Sequence, residues 1–360
     1  MKRQAAPIKI GALFDMVDDA GVSFMQNTAR AIEFRFEEAL ANGELDRPVQ
    51  LITRTVDGLP SGTAEGIERA WLELRDEGVL GIIGPGVTDN CVVTQPLAEL
   101  HGIPTLNFPG TEHSRGVYGF HFQLGSLSDE GPMIVNELVK LGHTSVGVIR
   151  DQGALGGEYY DYFDQECIRT GLRVTSDQRV SAVAQDLTAA VKAVKASKAT
   201  CLVYLGLGLV IPQMAEALAA AKWAPPRFMN TAFMHGYSST DALRALEGWV
   251  GVDMVDNANP VTTAFLDRFE KRFGERPVDP LHPCFYDMAT MTVEGLRWAP
   301  ILNADGFRQG LERAHQIPSA CGGAGTVMGF SPWDRAAYKG PDYILFQTVK
   351  DGAYRPYKKA

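Results

Sequence analysis

The chain has 360 residues, 45% of them apolar and 21% charged, enough for two domains with a core each and typical of a globular protein rather than a disordered or fibrous one. A net charge of −9 and a pI near 5.3 argue against nucleic acid or an anionic membrane surface as partner. No apolar run reaches the roughly 18 residues of a membrane span. The basic start, Met1-Lys2-Arg3, is followed by no apolar stretch. The expectation is therefore either a cytoplasmic protein or a mature chain whose export signal has been removed.

In chain order, apolar strands are read at Ile8–Phe14, Val49–Thr55, 80–83, Thr105–Asn107, 146–149, Arg173–Val180, 201–205, 227–230 and 249–255. Amphipathic helices lie between them over 23–41, 62–77, 88–100, 132–141, 187–195 and 212–222. This alternation predicts an α/β protein with doubly wound parallel sheets and helices on both faces. The strands are too many for one sheet, so the chain is read as two lobes. The strand-like run from Gly119 to Gly125 follows the strand ending at Asn107 with no helix between them. It is taken as the first crossing. A polar run with Asp256, Asn257 and Asn259 marks the return, and 329–334 marks a third crossing before a last strand at 343–347. The expected lobes are 1–124 with 256–330, and 125–255 with 331–360.

Catalytic and metal patterns are sparse. Cys91, Cys167, Cys201, Cys284 and Cys321 are odd in number, widely spaced and without a C-x-x-C pair, which indicates neither a zinc site nor a disulfide framework. Cys91 stands one turn into a helix, where a thiolate could form, but reads as a small apolar helix residue. Gly206-Leu207-Gly208 lacks the third glycine of a dinucleotide loop, Ile211 standing there, and reads as a tight turn. His235 and His282 have no partner histidine at i+4, so no metal is expected. His143 and His315 read as exposed helix ends, and Asp18-Asp19 and Glu37-Glu38 as solvated. No nucleophile elbow or Ser–His–Asp pattern is present. The expectation is a protein without enzymatic activity and without a cofactor.

The most informative stretch runs from Gly81 to Thr111. A short strand enters Gly84-Pro85-Gly86, a turn that holds no regular structure. Thr88, Asp89 and Asn90 then open a helix as N-cap types. A second buried strand ends in Asn107-Phe108-Pro109-Gly110-Thr111. Two strands thus finish side by side, and a helix N-terminus at such an edge is a ready anion site.

This segment resembles the solute-binding proteins of branched-chain amino-acid ABC transporters, the type I periplasmic binding-protein family. Members commonly show G-P-x-x-S before a helix with a proline near its end, then a strand ending in S-P-x-A-T. Gly84, Pro85 and Pro96 match, Thr88 stands at the serine, Thr111 matches the threonine, and Gly110 replaces the alanine. Asn107-Phe108 replaces Ser-Pro. The likeness continues from Ile8-Lys9-Ile10-Gly11 through the strand ending at Asp151 to Tyr286-Asp287.

The resemblance implies two doubly wound lobes joined by a three-strand hinge, with a ligand cleft between them and a membrane permease as partner. It places at the ligand Phe14, Met16, Gly86, Val87, Thr88, Asp89, Asn90, Pro109, Gly110 and Thr111 from the first lobe. From the second come Leu155, Gly208, Leu209, Thr231, Ala232, Phe233, Met234 and His235, with Asp256 at a crossing. Amino-acid-binding members carry an acid where Ala232 stands, to pair the ammonium group, and a tyrosine where Leu155 stands. A further tyrosine gives way here to Gly208 or Leu209. The expected ligand is therefore a small, largely apolar organic acid, aromatic or branched, and not an amino acid. Delivery to an ABC permease from the periplasm is the leading expectation. A cytoplasmic ligand sensor of the same fold is the alternative, as is true branched-chain amino-acid binding with a relocated acid.

Overall fold

Residues 8 to 14 read Ile-Lys-Ile-Gly-Ala-Leu-Phe and form β1 (Ile8–Phe14), of which only Lys9 is partly exposed. A run this continuously apolar marks a parallel strand covered on both faces. The structure, a computed structural model, describes residues 6–16 and 28–358. After β1 come α1 (Ala29–Ala41), β2 (Val49–Thr55), α2 (Ala64–Asp76), β3 (Ile82–Ile83), α3 (Thr88–His101), β4 (Thr105–Asn107) and β5 (Gly119–His121). These strands make a parallel sheet in the order β2-β1-β3-β4-β5. The helices form where caps and apolar spacing agree. Thr63 accepts the Gly66 N–H at the start of α2, and Ile67, Trp71 and Leu74, at i, i+4 and i+7, are fully buried.

The chain continues through α4 (Leu127–Lys140), β6 (Ser145–Asp151), α5 (Ala154–Thr170), β7 (Arg173–Val180), α6 (Thr188–Ala196), β8 (Leu202–Leu205), α7 (Ile211–Ala220), β9 (Arg227–Met229), α8 (Thr240–Ala245) and β10 (Trp249–Asp253). There follow α9 (Pro260–Phe273), α10 (Leu281–Trp298), α11 (Ala304–Leu311), then β11 (Ile317–Pro318), β12 (Val327–Met328) and β13 (Tyr338–Lys339), a small antiparallel sheet. A terminal hairpin, β14 (Leu345–Lys350) and β15 (Ala353–Pro356), extends the second large sheet. That sheet runs β15-β14-β10-β9-β8-β6-β7, its β6 to β10 parallel. Its core gathers Tyr204, Met214, Phe233 and Trp249.

Two units result. One comprises Met1–Leu124 with Met254–Tyr343, the other Gly125–Asp253 with Ile344–Ala360. The parallel strands of both follow one order: second, first, third, fourth, fifth. In each, the connections diverge between the first and third strands, β1 and β3 in one unit, β6 and β8 in the other. Ligands of open α/β sheets lie at the carboxyl ends of the strands beside such a divergence.

Several elements differ from the sequence reading. The third passage falls at Tyr343 to Ile344, not after residue 330. Residues 331–343 stay with the first unit because Met328 pairs with Tyr338 across β12 and β13. Arg335 also donates to the carbonyls of Gly116 and Val117 and to Glu312. Gly119–His121 is the edge strand β5 of the first sheet, and the chain passes over only after Leu124. Ala154, Leu155 and Gly156 form the first turn of α5 rather than a loop. Of the helix expected over 23–41, the described part begins at Ala29. Residues 23–27, Asp18 and Asp19 lie outside the described residues. No helix among the described residues is long and apolar enough to cross a membrane.

Candidate functional site

In the first unit the site begins where β1 ends. Phe14 is fully buried, its ring edge-on to Phe285 at 5.8 Å. It packs in the core of its unit, whereas the sequence reading placed it at the ligand. The next residue, Asp15, accepts hydrogen bonds from the Gly86 N–H at 2.7 Å, the Val87 N–H at 2.9 Å and Asn90 Nδ2 at 2.8 Å. Burial pushes the Asp15 carboxyl up, and the three donors oppose that shift. Asn90 also accepts from the Leu59 N–H at 2.9 Å and donates to its carbonyl at 3.2 Å. The amide expected to face ligand is thus spent on holding two loops together. Gly84, at φ +97°, lies so close to Leu13 that a Cβ would fall 2.3 Å from its carbonyl oxygen, which only glycine permits.

Past Asp15's reach, the edge still offers donors. Thr88 is the first residue of α3, where N–H groups have no intrahelical partner. Its hydroxyl is buried and forms no hydrogen bond among the described residues. Thr111 is buried too, its hydroxyl accepting the His113 N–H at 3.2 Å. Val87, Pro109 and Gly110 are buried beside them, while Met16, Gly86 and Asp89 are half-buried.

Two residues escaped the sequence reading. Asn107 and His121, the last residues of β4 and β5, stand opposite each other in register. The His121 Nδ1 contacts the Pro109 carbonyl at 3.1 Å. A carbonyl can only accept, so the ring proton sits on Nδ1 and Nε2 is left as an acceptor. Burial lowers the His121 pKa to about 3, so the ring is neutral. Its Nε2 and the Asn107 Oδ1 are buried without hydrogen-bond partners among the described residues. The signal for both was their place at the carboxyl ends of parallel strands; Gly119 to Gly125 was read only as a crossing.

The second unit repeats the device. Asp151, the last residue of β6, accepts from the Tyr204 hydroxyl at 2.8 Å and the Leu207 N–H at 2.8 Å. It therefore holds the turn after β8, as Asp15 holds the turn after β3. Gly206 is required there, since a Cβ would lie 2.4 Å from the Asp151 carboxylate. Gly208, at φ +97°, completes the turn into α7. Leu155 and Leu209 are half-buried at this edge.

After β9 the chain forms a 3-10 helix, Thr231–Tyr237. The Thr231 N–H donates to Glu130 at 2.6 Å, and the Thr231 hydroxyl lies 3.1 Å from the same carboxyl. Tyr159 donates to it as well, at 3.1 Å. Burial pushes Glu130 up to about 8, so at neutral pH it is largely a neutral acid. Thr231 is thereby committed inside its own unit. Phe233, expected to line the ligand, is fully buried and packs on Gly251, where a Cβ would come within 2.1 Å of its ring. The Tyr354 hydroxyl donates to its carbonyl at 2.8 Å. It is a core residue too. Ala232 is buried in the same core, whereas Met234 and His235 are half-buried. Asp256, in the first unit, caps a turn by accepting the Ala258 N–H at 2.8 Å. Among the described residues no group of histidines, cysteines and carboxylates could hold a metal.

This arrangement, two doubly wound units each with a carboxylate-braced turn at its strand divergence, is a solute-binding architecture. The chain belongs to the periplasmic binding protein family, which matches it over residues 7–352. A type 1 periplasmic binding protein from Bordetella pertussis Tohama I is similar with a TM-score of 0.83 at 20% identity, covering 98% of this chain and 100% of that one. A leucine binding protein, LivK, from Thermotoga maritima is similar with a TM-score of 0.80 at 15% identity over 97% of both chains. The branched-chain amino acid transporter substrate binding protein LivJ from Streptococcus pneumoniae, solved with isoleucine, gives 0.79 at 16% identity, over 97% of this chain and 98% of that one. At such identities these likenesses speak for the fold. No curated protein matches the sequence.

Proposed function

We propose that the chain is the extracytoplasmic solute-binding component of an ABC importer and binds a small, largely apolar organic acid, aromatic or branched. It hands this solute to a membrane permease and does no covalent chemistry. The observation that carries this reading is the Thr88 hydroxyl, buried and without a partner among the described residues, at the first turn of a 14-residue helix. A helix N-terminus favours an anion, and a buried hydroxyl without a partner is unfavourable until a ligand supplies one. On the second unit, Leu155, Leu209 and Met234 offer apolar surface, and no acid stands within Thr231–Tyr237 to receive an ammonium group.

A thermal-shift screen of apolar carboxylic acids tests this. A true ligand at one hundred times its Kd adds about 2.7 kcal/mol of stability. For whichever acid binds, Thr88→Val should weaken affinity about tenfold or more, since a hydrogen bond to a charged group contributes roughly 1.5–3 kcal/mol. The same substitution should leave the ligand-free melting temperature unchanged or raise it, because it replaces an unsatisfied polar group by a methyl of like shape. Thr111→Val is the poorer probe, since it also removes the acceptor of the His113 N–H. Undiminished affinity in Thr88→Val would remove the anion site.

Binding by closure of the two units is part of the proposal. Small-angle scattering at saturating ligand should give a smaller radius of gyration than the free protein. An unchanged profile would count against closure.

A further inference from the structure

We infer that Cys284 and Cys321 form a cross-linkable dithiol that closes to a disulfide when the chain folds under oxidising conditions. The sequence hides this pair, since 36 positions separate the two residues and no short spacing marks them. The fold brings them together through Asp287. Cys284 and Asp287 lie at i and i+3 on α10 and so share a face. The Asp287 carboxylate accepts the Ala320 N–H at 2.7 Å, the Cys321 N–H at 3.0 Å and the Ser319 hydroxyl at 2.8 Å. The backbone of Cys321 is thereby fixed against the face of α10 that carries Cys284.

The side chains meet as a result. The Cys284 and Cys321 thiols are close enough to act on one another, and both face the Tyr338 hydroxyl, which lies 3.6 Å from the Cys284 sulfur. Further contacts keep the segment around Cys321 in place. Asn259 donates to the Ser319 carbonyl at 3.1 Å and the Gly322 carbonyl at 3.0 Å, and Thr262 donates to the Ala320 carbonyl at 2.6 Å. Two neighbouring thiols on held backbones need only a short approach to bond. All five cysteines are free thiols in this structure.

The oxidant is a small-molecule disulfide. One protein thiolate attacks it, forming a mixed disulfide and expelling one small thiolate. The second protein thiolate displaces the other, and both protons end on the released small thiols. Burial beside Asp287 pushes the Cys321 thiol well up and both sulfurs are shielded, so the folded, reduced protein should react slowly. The bond is expected to form during folding. A protein that folds outside the cytoplasm meets that condition.

The test is to refold the reduced chain with oxidised glutathione or with excess dithiothreitol, then count thiols after denaturation and map the peptides. The expected result is five thiols from the reduced sample and three from the oxidised one, with one bond joining Cys284 to Cys321 and a higher Tm for the oxidised form. Cys284→Ser and Cys321→Ser should each leave four thiols in either sample. If the chain does not refold, the same count is made on protein exported to a bacterial periplasm. Five thiols in the oxidised sample, or a bond between other cysteines, would overturn the inference.

Discussion

Asp15→Ala is expected to destabilise the protein by about 3–5 kcal/mol, read as a lower urea midpoint with an unchanged m-value. Three donors converge on this carboxylate: the N–H groups of Gly86 and Val87 and the amide of Asn90. Removing it strands all three, and each buried donor without a partner costs about 1–3 kcal/mol. Water entering the vacated space recovers part of that, which sets the upper end of the range. Asp15→Asn should recover only a fraction, because its amide nitrogen would face N–H groups. A midpoint equal to that of the parent would mean that the β1 and β3 turns hold together without Asp15.

The second large effect is a pH dependence centred on Glu130. Its ordinary pKa of 4.5 is raised to about 8 in the folded protein, first by burial, with nearby Asp129 adding to the shift. The donors around it, Tyr159 and the Thr231 N–H and hydroxyl, act in the opposite direction. Between 4.5 and 8 the folded chain keeps a proton that the unfolded chain has released. The stability from this group is therefore complete below 4.5 and is lost as pH rises through 8, a change of about 3–5 kcal/mol if the whole shift is expressed. Other raised carboxyls, among them Asp287 at about 6, contribute in the same direction. The informative quantity is the difference between parent and Glu130→Gln, a neutral side chain of like shape. Urea midpoints below 4.5, at neutral pH and above 8 should converge toward higher pH or cross in favour of the glutamine variant. Parallel midpoints across that range would show that Glu130 does not titrate with folding.

The fold was largely legible because its signals are local and repetitive. The apolar strands Ile8–Phe14 and Thr105–Asn107, the Gly84-Pro85-Gly86 turn and the apolar spacing of α2 each declare themselves within a few residues. The third passage was misplaced because Ser331-Pro332-Trp333-Asp334 looks like a connection, whereas what binds it to the first unit is the distant pairing of Met328 with Tyr338. The candidate site was read as a set of strand ends, whose positions are easier to read from sequence than the surroundings of their side chains. Phe14 and Phe233 are apolar residues beside loops, and no local pattern tells a core ring from a ligand-facing one. Asn90 was read as a ligand donor because a capping residue at a helix start looks alike whether it faces solute or Asp15. Glu130, in the first turn of α4, gave no sign of its burial, since an acid near a helix N-terminus is ordinarily exposed.

Specificity is tested most directly by isothermal titration of leucine beside apolar carboxylic acids of similar and larger size, aromatic and branched, under one set of conditions. In the proposed reading, Ala232 and Leu155 take the places of the acid and the tyrosine that the sequence resemblance implies for amino-acid binding. An ammonium group left unpaired on closure costs a few kcal/mol. Asp15 is fully engaged by its three donors and is a poor substitute partner. The expected result is a measurable heat of binding for an apolar acid and none for leucine, isoleucine or valine. Micromolar binding of leucine would contradict it, and would require Asp89, Asp256 or a released Asp15 to receive the ammonium group.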